Sequence, residues 1–150
     1  MNKEYLELTH LIARLHRRSL DVLRAELNRI GVRDINGVQA LLLANIGDEK
    51  VVIKDLVERG YYQGSNVSYN IKKLMELEYI DQERSTHDKR SVSVSLTDKG
   101  HEVVVKVREM EDLNAAKFIE LMESDTDLAT VLASLRRLER MWTDYIHYGD

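Results

Sequence analysis

The sequence predicts a mainly α-helical fold that contains one small β-ribbon. Apolar residues recur at steps of three and four along most of the chain, which is typical of amphipathic helices. The exception is residues 79–96, where segments 79–83 and 91–96 can alternate as half-buried strands around a short, polar, basic piece. Proline and cysteine are absent from the 150 residues. No proline therefore interrupts a long helix, and neither a disulfide nor a cysteine-based metal site can form.

Four helices and a minimal strand are predicted before the ribbon. Gly31, Gly47 and Gly60 each suit the end of a helix. Asp34 suits the N-cap of the second helix. The predicted order is a helix over about 3–30, a helix over 34–47, a strand over 51–53, a helix over 54–59 and a helix over about 65–78.

Two long helices are predicted after the ribbon. Thr97 suits the N-cap of the first, over about 98–121, and Ser124–Asp127 resembles a capping sequence for the second, over about 125–147. The last helix has an apolar seam with the spacing of a coiled coil: Leu128, Val131, Leu135, Leu138, Trp142 and Tyr145. Intrachain packing and a helix of a second subunit are both possible partners. A similar stripe at the opposite terminus favours the second subunit: Tyr5, Leu8 and Ile12.

The charge is unevenly distributed along the chain. The formal net charge is −4 and the pI about 5.8, which argues against indiscriminate binding to nucleic acid. The acidic excess lies in residues 101–150, which carry 11 acidic and 6 basic side chains. A local basic face elsewhere on the molecule is therefore still compatible with phosphate contact.

The predicted helix over 65–78 has a polar face suited to reading bases. With Val67, Ile71 and Leu74 facing inward, the outward side chains are Ser65, Asn66, Ser68, Tyr69, Lys72 and Lys73. Asparagine can pair with adenine, serine can donate or accept at a groove edge, and lysine can reach guanine or phosphate. The order of elements is the plan of a winged helix-turn-helix, whose second helix lies in the major groove. An ordinary solvated helix face is the alternative interpretation.

The ribbon tip has the chemistry of a wing that contacts DNA. Asp88 lies two residues before Arg90, so its carboxylate can hold the guanidinium extended for insertion into a minor groove. Lys89 and Arg84 would contact phosphate, and His87 is either a phosphate contact or solvated. A surface salt bridge of little energetic value is the alternative for Asp88 and Arg90.

These motifs together resemble the MarR family of transcriptional regulators. Residues 87–91 (His-Asp-Lys-Arg-Ser) resemble its wing signature, and 96–100 (Leu-Thr-Asp-Lys-Gly) resemble the start of its fifth helix. Leu56 and Val67–Ser68 also fit, and the order of elements agrees over all 150 residues. Two positions depart from the family pattern: Gln63 replaces the usual serine or threonine cap of the recognition helix, and Glu78 replaces a glycine before the second strand.

The resemblance implies a single MarR-type chain over 1–150. Residues 1–30 and 101–150 would supply the dimerisation helices, and 34–100 the winged-helix DNA-binding region. It further implies a homodimer on a pseudo-palindromic operator in double-stranded DNA, acting as a repressor released by a small aromatic or anionic effector. His10, Arg14 and His16 are candidate effector ligands, with ordinary surface or interface residues as the alternative.

Several other functions are weighed against this one. No nucleophile elbow, phosphate loop or metal-binding helix motif is present in the sequence, so an enzyme is not expected. No cofactor or metal site is expected either. A metal-responsive regulator and a winged-helix protein-interaction module that does not bind DNA remain as alternatives. Without a signal peptide or a membrane span, the expected location is the cytoplasm.

Overall fold

The computed structural model describes residues 2–58, 64–84, 91–122 and 128–149. The chain divides into two compact units, one extending to Asp112 and one beginning at Leu113. The predicted mainly α-helical fold with a small β-ribbon is confirmed. In chain order the elements are α1 (Lys3–Arg29), α2 (Gly37–Ile46), β1 (Val51–Val52), α3 (Ile53–Glu58), α4 (Gly64–Glu76), β2 (Ile80–Arg84), β3 (Val92–Leu96), α5 (Asp98–Leu121) and α6 (Leu128–Tyr148).

The core of the first unit gathers apolar side chains from α1 to the first turns of α5. It includes the inward stripe predicted for α4, namely Val67, Ile71 and Leu74. Burying side chains of this size stabilises a fold by about 1.5–3 kcal/mol each. The largest fully buried side chains are Leu27, Leu42, Leu43, Leu56, Leu74, Ile80, Val67, Val94, Val104 and Val107.

The sheet has three antiparallel strands in the order β1, β3, β2. Val94 of the central strand pairs with both Val51 and Gln82 and is buried. The predicted half-buried alternation of β2 is wrong, because only Ile80 is buried and the other four residues are exposed. The strand β2 therefore leaves the core after Ile80, whereas β3 remains buried at Val94. Arg84, predicted in the tip, is instead the last residue of β2 and pairs with Val92.

The helices α1 and α4 end in the same hydrogen-bonded motif. In α1, Gly31 N–H donates to Asn28 and Val32 N–H donates to Leu27. In α4, Glu78 N–H donates to Met75 and Tyr79 N–H donates to Leu74. This is the Schellman pattern, which needs a left-handed residue just after the helix. Gly31 (φ 79°) and Glu78 (φ 66°) occupy that position.

The predicted N-cap of α2 is wrong, because Asn36 and not Asp34 caps the helix. Asn36 Oδ1 accepts from Gln39 N–H at 2.8 Å, and Gln39 Oε1 accepts from Asn36 N–H at 2.9 Å. This reciprocal capping box satisfies two backbone donors at the helix start. Asp34 Oδ1 is engaged elsewhere, accepting from the Tyr79 hydroxyl at 2.6 Å.

The start of α5 packs closely against the end of α4. Thr97 is confirmed as the N-cap, since its Oγ1 accepts from Gly100 N–H at 3.1 Å and donates to the Glu78 carbonyl at 2.7 Å. A Cβ at Gly100 would lie only 2.2 Å from the Tyr79 carbonyl oxygen. The threonine and the glycine of the Leu-Thr-x-x-Gly motif therefore fasten α5 to the end of α4.

The second unit contains the end of α5 and the helix α6. None of the described residues of α6 is buried. The predicted caps at Gly60 and Ser124–Asp127 lie outside the described residues. Across the described part of the chain, no helix combines the length and apolarity that a membrane crossing requires.

Candidate nucleic-acid interface

The helix α4 separates a buried stripe from an exposed polar face. Asn66, Ser68, Tyr69 and Lys72 are exposed, and Lys73 is half-buried at the edge of this face. Tyr69 is 67% exposed, which is unusual for an aromatic side chain of a core helix. The structure thus brings together the predicted base-reading residues that it describes. The side chain of Ser65 lies outside the described residues.

A buried polar pair fixes α4 against α2. Gln39 Nε2 donates to Asn70 Oδ1 at 3.2 Å, and both residues are buried. Gln39 is also the residue that completes the capping box of α2. Because an unpaired buried amide costs about 1–3 kcal/mol, this hydrogen bond selects one rotational setting of α4. The exposed face of α4 is therefore held in a defined direction.

Lys99 of α5 holds the other end of α4. Its Nζ donates to the Leu77 carbonyl at 2.8 Å, lies 4.2 Å from the centre of the Tyr79 ring and is 3.9 Å from Asp34 Oδ2. A cation at a helix C-terminus is favourable because of the helix dipole. Burial, followed by the hydrogen bond to Asp34, raises the pKa of Tyr79. The phenol therefore stays neutral and can remain a donor.

The base of the wing is a regular antiparallel ribbon. Five residue pairs join β2 to β3, ending with Arg84 and Val92. Lys50 and Glu83 form an ion pair beside the ribbon, and Ser93 Oγ donates to the Glu83 carbonyl at 3.3 Å. Arg84 is exposed. The other predicted wing contacts, His87, Asp88, Lys89 and Arg90, lie outside the described residues.

The predicted dimerisation residues present apolar surface. On α1, Tyr5 and Leu8 are each 38% exposed and Ile12 is half-buried. On α6, the seam is made of exposed and half-buried side chains: Leu128, Val131, Leu135, Leu138, Trp142 and Tyr145.

The predicted effector ligands and the nearby cavity are separate. His10, Arg14 and His16 are exposed along α1. None of them lines a cavity of about 570 Å³ that opens at the start of α5. The residues that border this cavity are Ile30, Val32, Tyr79, Lys99, His101, Glu102, Val103, Val105 and Lys106. In the described part of the chain, no cluster of three or more histidine or acidic side chains has the geometry to hold a metal ion.

Sequence reasoning missed three residues that position α4. Gln39 and Asn70 left a signal, because each is a polar residue three or four positions from buried apolar residues of its own helix: Leu42 and Leu43 for Gln39, Val67 and Leu74 for Asn70. Their contact joins residues 31 apart, so it cannot be derived from local spacing. Lys99 belongs to the motif identified at the start of α5, but its contact with Leu77 depends on the tertiary fold.

The exposed polar helix and its antiparallel ribbon define a winged-helix DNA-binding regulator, and comparison with known proteins agrees. Residues 35–100 match the family model described as a winged helix DNA-binding domain. The chain is 39% identical over 150 aligned residues to the exopolysaccharide II synthesis transcriptional activator ExpG of Rhizobium meliloti, covering 97% of this chain and 75% of the relative. The chain belongs to the MarR family of transcriptional regulators.

Solved structures share the fold at low sequence identity. AbsC, a MarR family transcriptional regulator from Streptomyces coelicolor, matches with a TM-score of 0.76 and 18% identity over 95% of this chain and 97% of that chain. FabT of Streptococcus pneumoniae, solved in complex with DNA, matches with a TM-score of 0.76 and 20% identity over 93% and 98%. These relatives and neighbours are transcriptional regulators rather than enzymes.

Proposed function

We propose that this protein acts as a homodimer that binds a pseudo-palindromic operator in double-stranded DNA. The observation that carries the proposal is the exposed polar face of α4, fixed in direction by the Gln39–Asn70 hydrogen bond and followed by the β2–β3 ribbon. In this arrangement α4 enters the major groove and the wing reaches the adjacent minor groove. Two-fold symmetry then requires recognition helices about 34–36 Å apart, one turn of DNA.

Each proposed contact follows from side-chain chemistry. Asn66 pairs with adenine, Ser65 and Ser68 bond either groove edge, and Tyr69 contacts phosphate or a thymine methyl group. Lys72 and Lys73 reach guanine or phosphate. On the wing, Arg90 enters the minor groove with Asp88 holding its guanidinium. The proposed wing phosphate contacts are Arg84, His87 and Lys89.

Dimerisation is proposed from the apolar surface that the chain leaves uncovered. The seam on α6 has no buried residue, and the amino-terminal half of α1 exposes a similar stripe. Extended apolar patches on a chain of this size mark interaction sites. A second copy supplies the matching helices by symmetry.

Control by a small effector completes the proposal. A small aromatic or anionic molecule would favour a spacing of the two recognition helices that does not fit the operator. The candidate effector ligands His10, Arg14 and His16 are exposed side chains of α1, so an enclosed site would need further residues from the second subunit.

Arg14→Ala should abolish effector-induced release of DNA while leaving DNA affinity unchanged. Release that persists in this variant contradicts the assignment.

The direction of regulation has two candidates. The family resemblance predicts a repressor, whereas the relative that is 39% identical is named a transcriptional activator. A footprint on the intergenic DNA next to the gene, combined with in vitro transcription, separates them. Protection overlapping the promoter with lower transcript yield supports repression, and upstream protection with higher yield supports activation.

DNA recognition is tested by fluorescence anisotropy with duplex DNA from the protein's own promoter region. Asn66→Ala should weaken operator binding by about 1–3 kcal/mol and relax the preference at one base position. Arg90→Ala should also weaken binding. Asp144→Asn on α6 is the control and should bind like the wild type. Binding that is insensitive to salt and unchanged in both variants would contradict the proposed function.

A further inference from the structure

Another cleft lies beside the recognition helix. It has a volume of about 580 Å³ and lies between the C-terminal part of α1, the turn before α2 and the Lys73 edge of α4. Three cationic side chains, Arg24, Arg33 and Lys73, line it together with the amides of Asn28 and Asn36. We call this the basic cleft.

The basic cleft carries a net positive charge. Within the described part of the chain, Arg24, Arg33 and Lys73 form no ion pair with a carboxylate. Asp34 is the one acidic residue among the lining residues, and both of its oxygens are engaged. Oδ1 accepts from the Tyr79 hydroxyl at 2.6 Å, and Oδ2 lies 3.9 Å from Lys99 Nζ. Three uncompensated cations in one cleft stand out in a chain with a net charge of −4.

The neutral groups of the cleft also suit an anion. Asn36 caps α2 through its Oδ1, which leaves its amide N–H groups available to donate. The positive end of the α2 dipole lies at the same place. Guanidinium groups bind phosphate oxygens through two parallel hydrogen bonds, and arginine is the side chain best suited to that task.

The position of the cleft relates it to DNA. Lys73 lies seven residues after Asn66, about 10.5 Å along the helix and on the same side of α4. The flank of α4 that carries both residues therefore continues directly into the basic cleft. A major groove about 12 Å wide has one phosphate strand on each side. A helix lying in that groove places its flank against one of these strands.

We propose that the basic cleft binds the phosphate backbone beside the major groove, with Arg33 and Lys73 as the principal contacts and Arg24 as a third. This inference rests on the proposed function, because it requires α4 to lie in the major groove. It adds the α1–α2 turn to the DNA interface. Phosphate contacts of this kind fix the register of the protein and carry no base information.

The test measures binding of wild type and Arg33→Gln to an operator duplex and to a scrambled duplex, by fluorescence anisotropy between roughly 50 and 200 mM salt. Arg33→Gln should weaken both duplexes by a similar factor, on the order of three- to tenfold. The slope of log K against log salt should become shallower by about 0.9 for one lost phosphate contact. Arg137→Gln on α6 removes the same charge from a residue that is not among those lining the cleft, and it should change neither quantity. Equal melting temperatures by circular dichroism confirm that both variants are folded.

The outcomes separate this inference from the proposed function. If the wild type shows no salt-sensitive binding, the proposed function fails and the inference fails with it. If Lys72→Gln weakens binding while Arg33→Gln and Arg24→Gln keep the wild-type affinity and slope, the inference alone is overturned. Calorimetric titration with inorganic phosphate at constant ionic strength tests whether the basic cleft binds free phosphate instead of DNA phosphate. A phosphate affinity that Arg33→Gln abolishes without any effect on DNA binding also overturns the inference.

Discussion

Glu78 has a backbone conformation that glutamate rarely adopts. Its φ of 66° lies in the left-handed region, where it closes the Schellman motif of α4. A side chain in this region costs about 1–2 kcal/mol relative to glycine. Glu78→Gly should therefore raise the free energy of unfolding by about 0.5–1 kcal/mol, after allowing for the greater freedom of glycine in the unfolded chain. Urea denaturation measures the difference.

The control for this prediction is a glutamate in ordinary helical conformation. Glu111 is exposed within α5, so Glu111→Gly should lower the free energy of unfolding by about 1 kcal/mol. Opposite signs for the two substitutions identify backbone conformation as the cause. A loss of stability in both variants would show that the side chain of Glu78 stabilises the fold by more than its backbone strain costs.

Glu26 is a buried carboxylate at the end of α1, and the neighbouring Arg29 stabilises its ionised form. Hydrogen bonds from Arg29, one of them 2.9 Å from Nε to Oε2, lower the pKa of Glu26 and outweigh the effect of burial. A lowered pKa in the folded state stabilises the protein above the unfolded value of 4.5, and this stabilisation is lost as the pH falls through the folded value.

The stability difference between wild type and Glu26→Gln should therefore be largest near neutral pH and shrink below about pH 4.5. Because Arg29 is 64% exposed, the difference should stay under about 1 kcal/mol. Denaturation at a series of pH values measures it. Arg29→Gln removes the donor and should reproduce the same pH dependence. A difference that grows on acidification would contradict this account.

At the scale of elements, local sequence signals predicted the start of a helix well. Contacts between residues distant in the sequence were not predicted. The start of α5 follows from Thr97, whose capping contact with Gly100 lies within a few residues of the helix start. Asp34 and Asn36 are both suitable caps by type, and Gln39 three residues after Asn36 decides between them. Asp34 is instead occupied by Tyr79, 45 residues away. A pattern of residues near Asp34 in the sequence cannot predict its contact with Tyr79.

The ribbon illustrates the same limit for strands. Residues 79–83 were predicted to be a half-buried strand, yet their order is Tyr-Ile-Asp-Gln-Glu, and only Ile80 of β2 is buried because the strand runs away from the core. Alternation predicts which side chains share a face and does not predict whether that face is covered. The exposed polar face of α4 was predictable, because the helical spacing of Val67, Ile71 and Leu74 identifies the buried side and therefore the opposite, exposed side.

The junction between α4 and α5 depends on Gly100. A Cβ there would lie 2.2 Å from the Tyr79 carbonyl oxygen, which also accepts from Thr97 N–H at 3.1 Å. Gly100→Ala must displace this backbone, so it should destabilise the protein by about 1–3 kcal/mol despite the better helix propensity of alanine. Thermal denaturation measures the loss. Glu102→Ala, exposed on the same helix, should be close to neutral. A neutral Gly100→Ala would show that the junction can open without cost.

At the scale of the whole molecule, charge and apolar surface are distributed to different parts of the chain. Residues 101–150 hold the acidic excess and, in α6, an uncovered apolar seam. The cations proposed to contact DNA lie on α4, the wing, the α1–α2 turn and, for Arg24, the C-terminal part of α1. A net charge of −4 is therefore compatible with a local DNA-binding surface, because screening confines surface electrostatics to about 8–10 Å at physiological salt.

The apolar seam of α6 leads to the last prediction. Leu138 is half-buried and lies within the seam, so Leu138→Arg places a charge where a second subunit is proposed to pack. The variant should dissociate towards a monomer of 17.4 kDa, as measured by sedimentation velocity. Operator affinity should fall because two half-sites are no longer bound together. Asp144→Asn raises the net charge by the same amount outside the seam and should remain dimeric. A Leu138→Arg protein that keeps the wild-type mass and affinity would place the subunit contact elsewhere.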